Sequence, residues 1–515
     1  MRMRYPIGIQ SFEKIRQAGY VYVDKTDLIY KIVQAGQYFS LSRPRRFGKS
    51  LLISTMEAYF KGQKNLFSGL AVESLEKDWT EYPVLHLDFS GKSYSQEDVV
   101  AKVLDNELCR WEKEYGCENR SDIPGIRFGN VIEAAFNKTG RQVVILVDEY
   151  DKPVIDNLGR PDLLDKFREE LQGFYSVMKS KDAFIRFGFL TGVTKIGKMS
   201  VFSGLNNLKD ISMDSRYVDI CGISETDLTE YFQESVRELA AANNLSEEDC
   251  RQKLALMYDG YHFCEDSVGI YNPFSLLNTF DALKFKEYWF ETGTPSFLVE
   301  VMRRTSYDVT RLSSDQVGSS LLTDVNTAFL NPVPLLYQSG YLTIKGYDPR
   351  YNLYTLGFPN REVKDGFLNF LLGYYAPLES ESSNTLVALM SQDVDAGNPE
   401  SFLNRLDALF AKTSYQIQGD CEKDFQYAMY IILELMGEYA EVERATSNGR
   451  IDVLIQTAAY IYIIEIKTDS TPDEALAQIA EKGSARPFAD DARRLFKIGV
   501  NFSTVNRRID GWKVV

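Results

Sequence analysis

Leu41-Ser42-Arg43-Pro44-Arg45-Arg46-Phe47-Gly48-Lys49-Ser50 follows a short apolar run, Tyr38–Leu41, and opens a helix-period pattern. Within that pattern Leu52, Met56, Tyr59 and Phe60 fall on one stripe. Strand, basic loop and helix start, in that order, are the setting of a phosphate-binding loop. Backbone N–H groups of Arg46, Phe47 and Gly48 point at an anion, Lys49 reaches the outer phosphates, and the Ser50 hydroxyl ligates Mg²⁺. The pattern G-x-x-x-x-G-K-[ST] is incomplete, because Arg43 stands at the first glycine. A Cβ there disfavours positive φ, so a distorted or widened loop is expected.

Working outward, Val143–Val147 is a wholly apolar run that ends in Asp148-Glu149. An acidic pair at the C-terminal tip of a buried strand lies where open α/β sheets bind ligands. Asp148 suits the Mg²⁺ shell, and Glu149 suits polarising an attacking water. Two further runs, Val84–Phe89 and Phe184–Leu190, complete a set of strands alternating with helical stretches. That pattern predicts a parallel sheet covered by helices. Val84–Phe89 reads as the extra strand of NTPases that insert one between the phosphate-loop and acidic strands. After the last run come Thr191 and Thr194, polar residues placed to sense a γ-phosphate, although Thr after a strand is commonly a helix cap. His86, inside an apolar run, reads as a core histidine.

Composition narrows the chemistry. The 515 residues suggest about three or four domains. Lys plus Arg is 58 against 73 Asp plus Glu, a net charge of −15, so nucleic acid could be held only by a local basic patch. With two histidines, His86 and His262, zinc sites built on several imidazoles are excluded. Six scattered cysteines without a C-x-x-C pair suit a reducing compartment. No apolar run approaches the roughly 18 residues of a membrane span, and the basic N-terminus leads into no apolar segment, so a cytoplasmic protein is expected.

With Val23-Asp24-Lys25-Thr26, Val147-Asp148-Glu149-Tyr150-Asp151 and Phe202-Ser203-Gly204-Leu205-Asn206-Asn207, the phosphate-loop segment resembles the AAA-ATPase-like family, a bacterial and archaeal group. Arg43 follows that family's own pattern. The resemblance covers roughly residues 5 to 290, including Gly260-Tyr261-His262-Phe263 and Tyr271-Asn272-Pro273-Phe274. It implies an ATP-binding fold.

A second constellation lies near the C-terminus. Ile451-Asp452-Val453-Leu454-Ile455 and Tyr460-Ile461-Tyr462-Ile463-Ile464-Glu465-Ile466-Lys467 flank a turn at Thr457–Ala459. Strand alternation puts Glu465 and Lys467 on one face, and hairpin pairing can bring Asp452 beside Glu465. Two carboxylates holding Mg²⁺ (or Mn²⁺), with a lysine beside the water, suit phosphodiester hydrolysis. With a helix from Cys421 before it and a helix containing Gln478 after it, the segment resembles the PD-(D/E)XK nuclease superfamily. That resemblance carries over Asp452, Glu465 and Lys467, leaves Glu422 and Glu443 competing for an auxiliary ligand, and matches Gln478. Lys482 departs from it, standing where relatives with a Gln-x-x-x-Tyr signature have tyrosine. Basic residues from Arg486 to Lys513, with Phe and Trp among them, could contact phosphate or form a solvated helix face.

The expected architecture is an N-terminal P-loop-type parallel sheet (1–220) with a helical extension (221–290). A connecting region or small subdomain (291–384) and a C-terminal α/β nuclease-like domain (385–515) follow. The expected function is an ATP-binding ATPase coupled to a Mg²⁺-dependent nuclease, with DNA favoured over RNA. There is room for a homo-oligomer whose neighbouring subunit supplies an arginine. The alternative is a nucleotide-sensing regulator that binds nucleic acid without cutting it.

Overall fold

The computed structural model describes residues 3–515, apart from 118–120, 196–206, 291–295, 324–330, 377–379, 414–420, 438–439, 447–448 and 507. Side chains of several flanking residues, including 411–424 and 438–451, are likewise outside the description. The chain divides into two compact units, Met1–Val363 and Lys364–Val515.

The first unit is built on five strands: β1 (Tyr38–Ser42), β2 (Val84–Asp88), β3 (Val143–Asp148), β4 (Ile185–Gly192) and β5 (Lys209–Asp210). They form one sheet in the order β2-β3-β4-β1-β5, and every pair is parallel. The apolar runs end up here because β3 is buried along its whole length and β4 nearly so, as strands covered on both faces require. Helices Lys49–Phe60 and Pro124–Thr139 pack against β3. One expectation is corrected. The strand lying between the phosphate-loop strand and the acidic strand is β4, and the Val84 strand sits at the sheet edge beside β3. Chain order does not fix sheet order, and β4 alone pairs with both β1 and β3.

Beyond the sheet, helices Glu225–Tyr231, Gln233–Ala242, Glu247–Tyr258 and Pro273–Ala282 form a second core around Phe232, Leu239, Leu254 and Phe280. The turn-rich break between the last two is closed by a short antiparallel pair, β6 (Ile223–Ser224) with β7 (Ile270–Tyr271). The stretch expected to be a connecting region or small subdomain contains an antiparallel sheet of β8 (Gln316–Gly318), β9 (Thr343–Asp348) and β10 (Leu353–Gly357), ordered β8-β10-β9.

The second unit carries a mixed sheet in strict chain order: β11 (Ala440–Thr446), β12 (Gly449–Gln456), β13 (Tyr460–Thr468), β14 (Arg494–Ser503) and β15 (Arg508–Val514). β11, β12 and β13 are antiparallel, β13 and β14 parallel, β14 and β15 antiparallel. The parallel step needs a crossover, supplied by helix Pro472–Lys482, whose start is capped by the Thr471 side chain. This helix lies so close to β14 that a Cβ on Gly499 would sit 2.2 Å from the Pro472 carbonyl oxygen.

Backbone on both sides leaves that contact no room to relax. Gly499→Ala should therefore destabilise the second unit by about 2–3 kcal/mol, read as a lower denaturant midpoint for its transition in the full-length protein.

Candidate functional site

The parallel register Leu41↔Thr191 and Ser42↔Gly192 sets the C-terminal ends of β1 and β4 side by side, and Val147↔Leu190 adds the end of β3. Over these ends opens a cavity of about 540 Å³. One part of its wall is polar: Arg45, Arg46, Lys49, Ser50, Glu149 and Asp151. Another part is largely apolar, with Pro6, Ile7, Leu51, Pro273, Phe274 and Leu277. Two non-glycine residues on the wall have left-handed backbone, Arg46 at φ +68° and Glu149 at φ +52°. Such conformations persist only where the surroundings hold them.

The loop itself is not distorted at its missing glycine. Arg43 is absent from the positive-φ residues; the left-handed turns fall three and five residues later, at Arg46 and Gly48 (φ +92°). The Arg43 backbone N–H continues the sheet by donating to Gly192 O (3.2 Å). Its buried guanidinium donates to the carbonyls of Ser212 (2.7 Å) and Tyr217 (3.2 Å) and stacks over Phe263 at 3.9 Å. Arg43 thus anchors the loop to the chain that follows β5. Lys49 lines the cavity and donates to Arg43 O and Pro44 O at 3.0 and 3.1 Å. The side chain of Phe47 is core, edge-on to Tyr261 and Phe263, which leaves only its backbone for an anion. From outside the loop, Trp289 Nε1–H donates to Arg45 O at 3.1 Å.

Asp148 is buried and accepts from the Thr191 hydroxyl at 2.6 Å, so Thr191 orients Asp148 and neither lines the cavity wall. Glu149 does, and burial pushes its pKa up against the pull of Lys49. Asp151, three residues past the tip of β3, has a structural role. Its carboxylate accepts from the backbone N–H groups of Val193 (3.0 Å) and Thr194 (2.5 Å) and from the Thr194 hydroxyl (3.0 Å). Gly192 makes the room, since a Cβ there would lie 2.7 Å from Asp151 Oδ1. The sequence signal was available: an acid three residues past a strand end, facing a glycine at the end of the adjacent strand. Lys25 likewise has a structural partner, Asp227 at 2.7 Å, and Lys195 is tied to Asp210 at 2.9 Å. His86 is half-buried, with Nδ1 2.8 Å from Glu57 Oε2. Phe202–Asn206 lie outside the described residues.

In the second unit, β12 pairs with β13 from Gln456↔Ile461 to Val453↔Ile464, and the same register sets Asp452 opposite Glu465. Asp452 Oδ2 accepts from the backbone N–H of Ile466 at 2.9 Å, which fixes its carboxylate against β13. Glu465 is 1% exposed. Burial pushes its pKa up, and the ammonium groups of Lys482 and Lys467 work against that while Asp452 adds to it. Lys482 Nζ lies 2.6 Å from Glu465 Oε1, whereas Oε2 is buried without a hydrogen-bond partner among the described residues. Lys482, the departure from the tyrosine pattern, is therefore the residue of helix Pro472–Lys482 that reaches the acid. An orphaned carboxylate oxygen beside a second carboxylate fits a hard divalent cation. Among the described residues no group of three or more acidic or His/Cys ligands forms, and the side chains of Glu422 and Glu443 lie outside the description.

The basic C-terminal segment is corrected from a helix face to strands β14 and β15 behind a short 3-10 turn, Arg486–Phe488. Much of its charge is already paired. Arg493 binds Asp491 (2.7 Å) and the Thr457 carbonyl, Arg508 binds Asp407 (3.1 Å), and Lys513 binds Asp473 (2.6 Å). Arg507 is outside the described residues. No described helix is long and apolar enough to cross a membrane.

An all-parallel sheet ending in a phosphate loop and acidic tip, followed by a mixed sheet with an acidic hairpin, defines an AAA-ATPase-type unit joined to a nuclease-type unit. Residues 6–202 match the family described as predicted AAA-ATPase, and residues 420–512 match the PD-(D/E)XK nuclease superfamily. The chain belongs to the family that combines the two. It is 36% identical over 532 residues to the "Uncharacterized protein in vnfD 5'region" of Azotobacter chroococcum mcd 1, covering 100% of this chain and 99% of that protein.

One buried acid near the cavity yields a pH prediction. Glu362 has its pKa raised to about 7 by burial, against hydrogen bonds from the Trp289 backbone and Ser275. Its stabilising contribution is complete below about pH 4.5 and is lost as pH rises through about 7. Glu362→Gln should stabilise the first unit relative to the parent by about 3 kcal/mol at pH 8. The advantage should fade toward pH 5, read by denaturant melts across that range.

Proposed function

We propose that the first unit binds and hydrolyses ATP and that the second unit is a Mg²⁺-dependent nuclease under its control. The observation that carries this reading is the presence on one chain of two separate acidic sites, the cavity over β1, β4 and β3 and the hairpin of Asp452, Glu465 and Lys467. In the cavity, the loop N–H groups and Lys49 bind the triphosphate, with Lys49 leaving the loop carbonyls it now holds. Phe274, Leu277, Leu51 and Pro6 give the base an apolar bed. Ser50 would hold Mg²⁺ directly, and Asp148, kept in position behind the wall by Thr191, would act on that ion through a bound water. Glu149 takes the proton from the attacking water, a role its raised pKa suits. Either Arg46 or an arginine from a second copy would balance the developing charge.

At the hairpin, Asp452 and Glu465 would hold the metal, with Glu422 or Glu443 as auxiliary ligand. A divalent ion bound there supplies Lewis-acid polarisation of the phosphodiester and its water. Lys467, on the face shared with Glu465, orients that water. DNA is the favoured substrate over RNA. Cleavage of plasmid or oligonucleotide by the full-length protein should require Mg²⁺ or Mn²⁺ and stop with EDTA. Asp452→Ala and Lys467→Ala should each lower it at least about 100-fold without altering ATP affinity. Unchanged cleavage in either variant would remove the assignment.

A second reading, nucleotide sensing with binding but no cutting of nucleic acid, is favoured by one observation: Lys482 already grips Glu465. Calorimetry separates the parts of the nucleotide site. Lys49→Ala should lose both ATP and tripolyphosphate binding, whereas Phe274→Ala should weaken ATP by about tenfold and leave tripolyphosphate untouched. Binding of ATP without phosphate release, together with no cleavage in any metal, would select the sensing reading.

A further inference from the structure

Three successive carbonyls of the phosphate loop are pinned from two directions. Lys49 holds those of Arg43 and Pro44, and the Trp289 indole N–H holds that of Arg45. A triphosphate that draws Lys49 to itself releases the first two. The bond from Trp289 then remains, on the residue directly before Arg46, whose left-handed backbone must be kept in place by its surroundings. Trp289 is itself fixed. Its backbone N–H donates to Glu362 Oε1 at 2.7 Å, and the same oxygen accepts from Ser275 Oγ at 2.9 Å. Trp289 and Glu362 are 5% and 1% exposed, so water does not compete for these bonds, and neither lines the cavity. Ser275 adjoins Phe274, which does. Glu362 stands in the first turn of helix Arg361–Tyr375, and its other carboxylate oxygen is buried with no hydrogen-bond partner among the described residues. Keeping an incompletely paired carboxylate in a core is costly, so an apolar residue would serve packing better.

We infer that Trp289 and Glu362 are positioning residues of the phosphate loop. They fix the Arg45 carbonyl while Lys49 is engaged by phosphate, and they tie the loop to the first turn of helix Arg361–Tyr375, so that filling the cavity and ordering that turn go together. The inference rests on the reading of the cavity as a triphosphate site. The connection runs through one residue, from the Arg45 carbonyl to the Trp289 indole N–H and from the Trp289 backbone N–H to the Glu362 carboxylate, a contiguous network of the kind that carries coupling.

The test uses the full-length protein, calorimetry with Mg²⁺ plus ATP or Mg²⁺ plus tripolyphosphate, and hydrogen exchange of peptides covering the start of helix Arg361–Tyr375. Trp289→Phe keeps the ring packing and removes the N–H. It should weaken ATP and tripolyphosphate by the same factor, about three- to tenfold, because the loop and not the base contact is affected. Glu362→Ala should do the same, and Glu362→Gln, which keeps an acceptor oxygen, should bind as the parent does. Saturating tripolyphosphate should slow exchange in the helix start of the parent and leave it unchanged in saturated Trp289→Phe. If Glu362→Ala fails to fold, Trp289→Phe and Glu362→Gln still decide. Parent-like binding of tripolyphosphate by Trp289→Phe, or an intact exchange response in it, overturns the inference alone. A parent protein that binds neither ATP nor tripolyphosphate overturns the reading of the cavity, and the inference with it.

Discussion

The last two residues of β1 are paired in register with Thr191 and Gly192, and the placing of the phosphate loop against the acidic tip depends on that match. Parallel pairing delivers strand ends to the same edge of a sheet, and the loops leaving those ends must share the space above it. Shifting β4 by one residue would turn Thr191 away from Asp148 and put a side chain where Gly192 now admits the Asp151 carboxylate. The buried guanidinium of Arg43 adds the second constraint. It ties the start of the loop to Ser212 and Tyr217, so the loop is held between the sheet on one side and the chain beyond β5 on the other.

How much of this is legible in the sequence depends on the range of the interaction. The apolar runs and Gly48-Lys49-Ser50 are local signals, and they placed β1 to β4 to within one or two residues. What failed was spatial order. Val84–Asp88 precedes the acidic strand in the chain, yet it lies at the sheet edge, because strand adjacency is decided by packing among all five strands. Arg43 was misleading for a related reason. Its expected strain assumed that the left-handed turn must fall at the first glycine position, whereas the turn occurs later, at Arg46 and Gly48. A buried arginine whose terminal nitrogens donate to carbonyls 169 and 174 residues away leaves no mark in a local pattern.

The second unit shows the same division. Alternation within β12 and β13 made the Asp452–Glu465 juxtaposition readable, since period two and a short turn leave few registers for a hairpin. Lys482 needed the tertiary structure, because its reach to Glu465 depends on how closely helix Pro472–Lys482 lies over the sheet. That closeness was written in Gly499, but a lone glycine in a strand has several readings. The basic residues near the C-terminus were legible as charge and illegible as surface. Their carboxylate partners Asp407, Asp473 and Asp491 come from a helix, a helix start and a turn.

Buried charge is met in more than one way in this protein. Lys25 has two carboxylates, Asp227 and Asp219, and Arg127 has Glu112 and Asp105; each cation ends inside a set of acceptors and needs nothing further. Glu465 and Glu362 are different. Each has one carboxylate oxygen engaged and the other buried and unpartnered among the described residues, and each has its pKa raised by burial. Selection for stability alone would replace such groups with apolar or neutral residues of similar volume. For Glu465 a cation beside Asp452 would complete the set; for Glu362 the engaged oxygen holds Trp289 and, through it, the loop. The same logic explains why strained backbone recurs on the cavity wall at Arg46 and Glu149. Conformations that cost about 1 kcal/mol or more are held ready, so that binding does not have to create them.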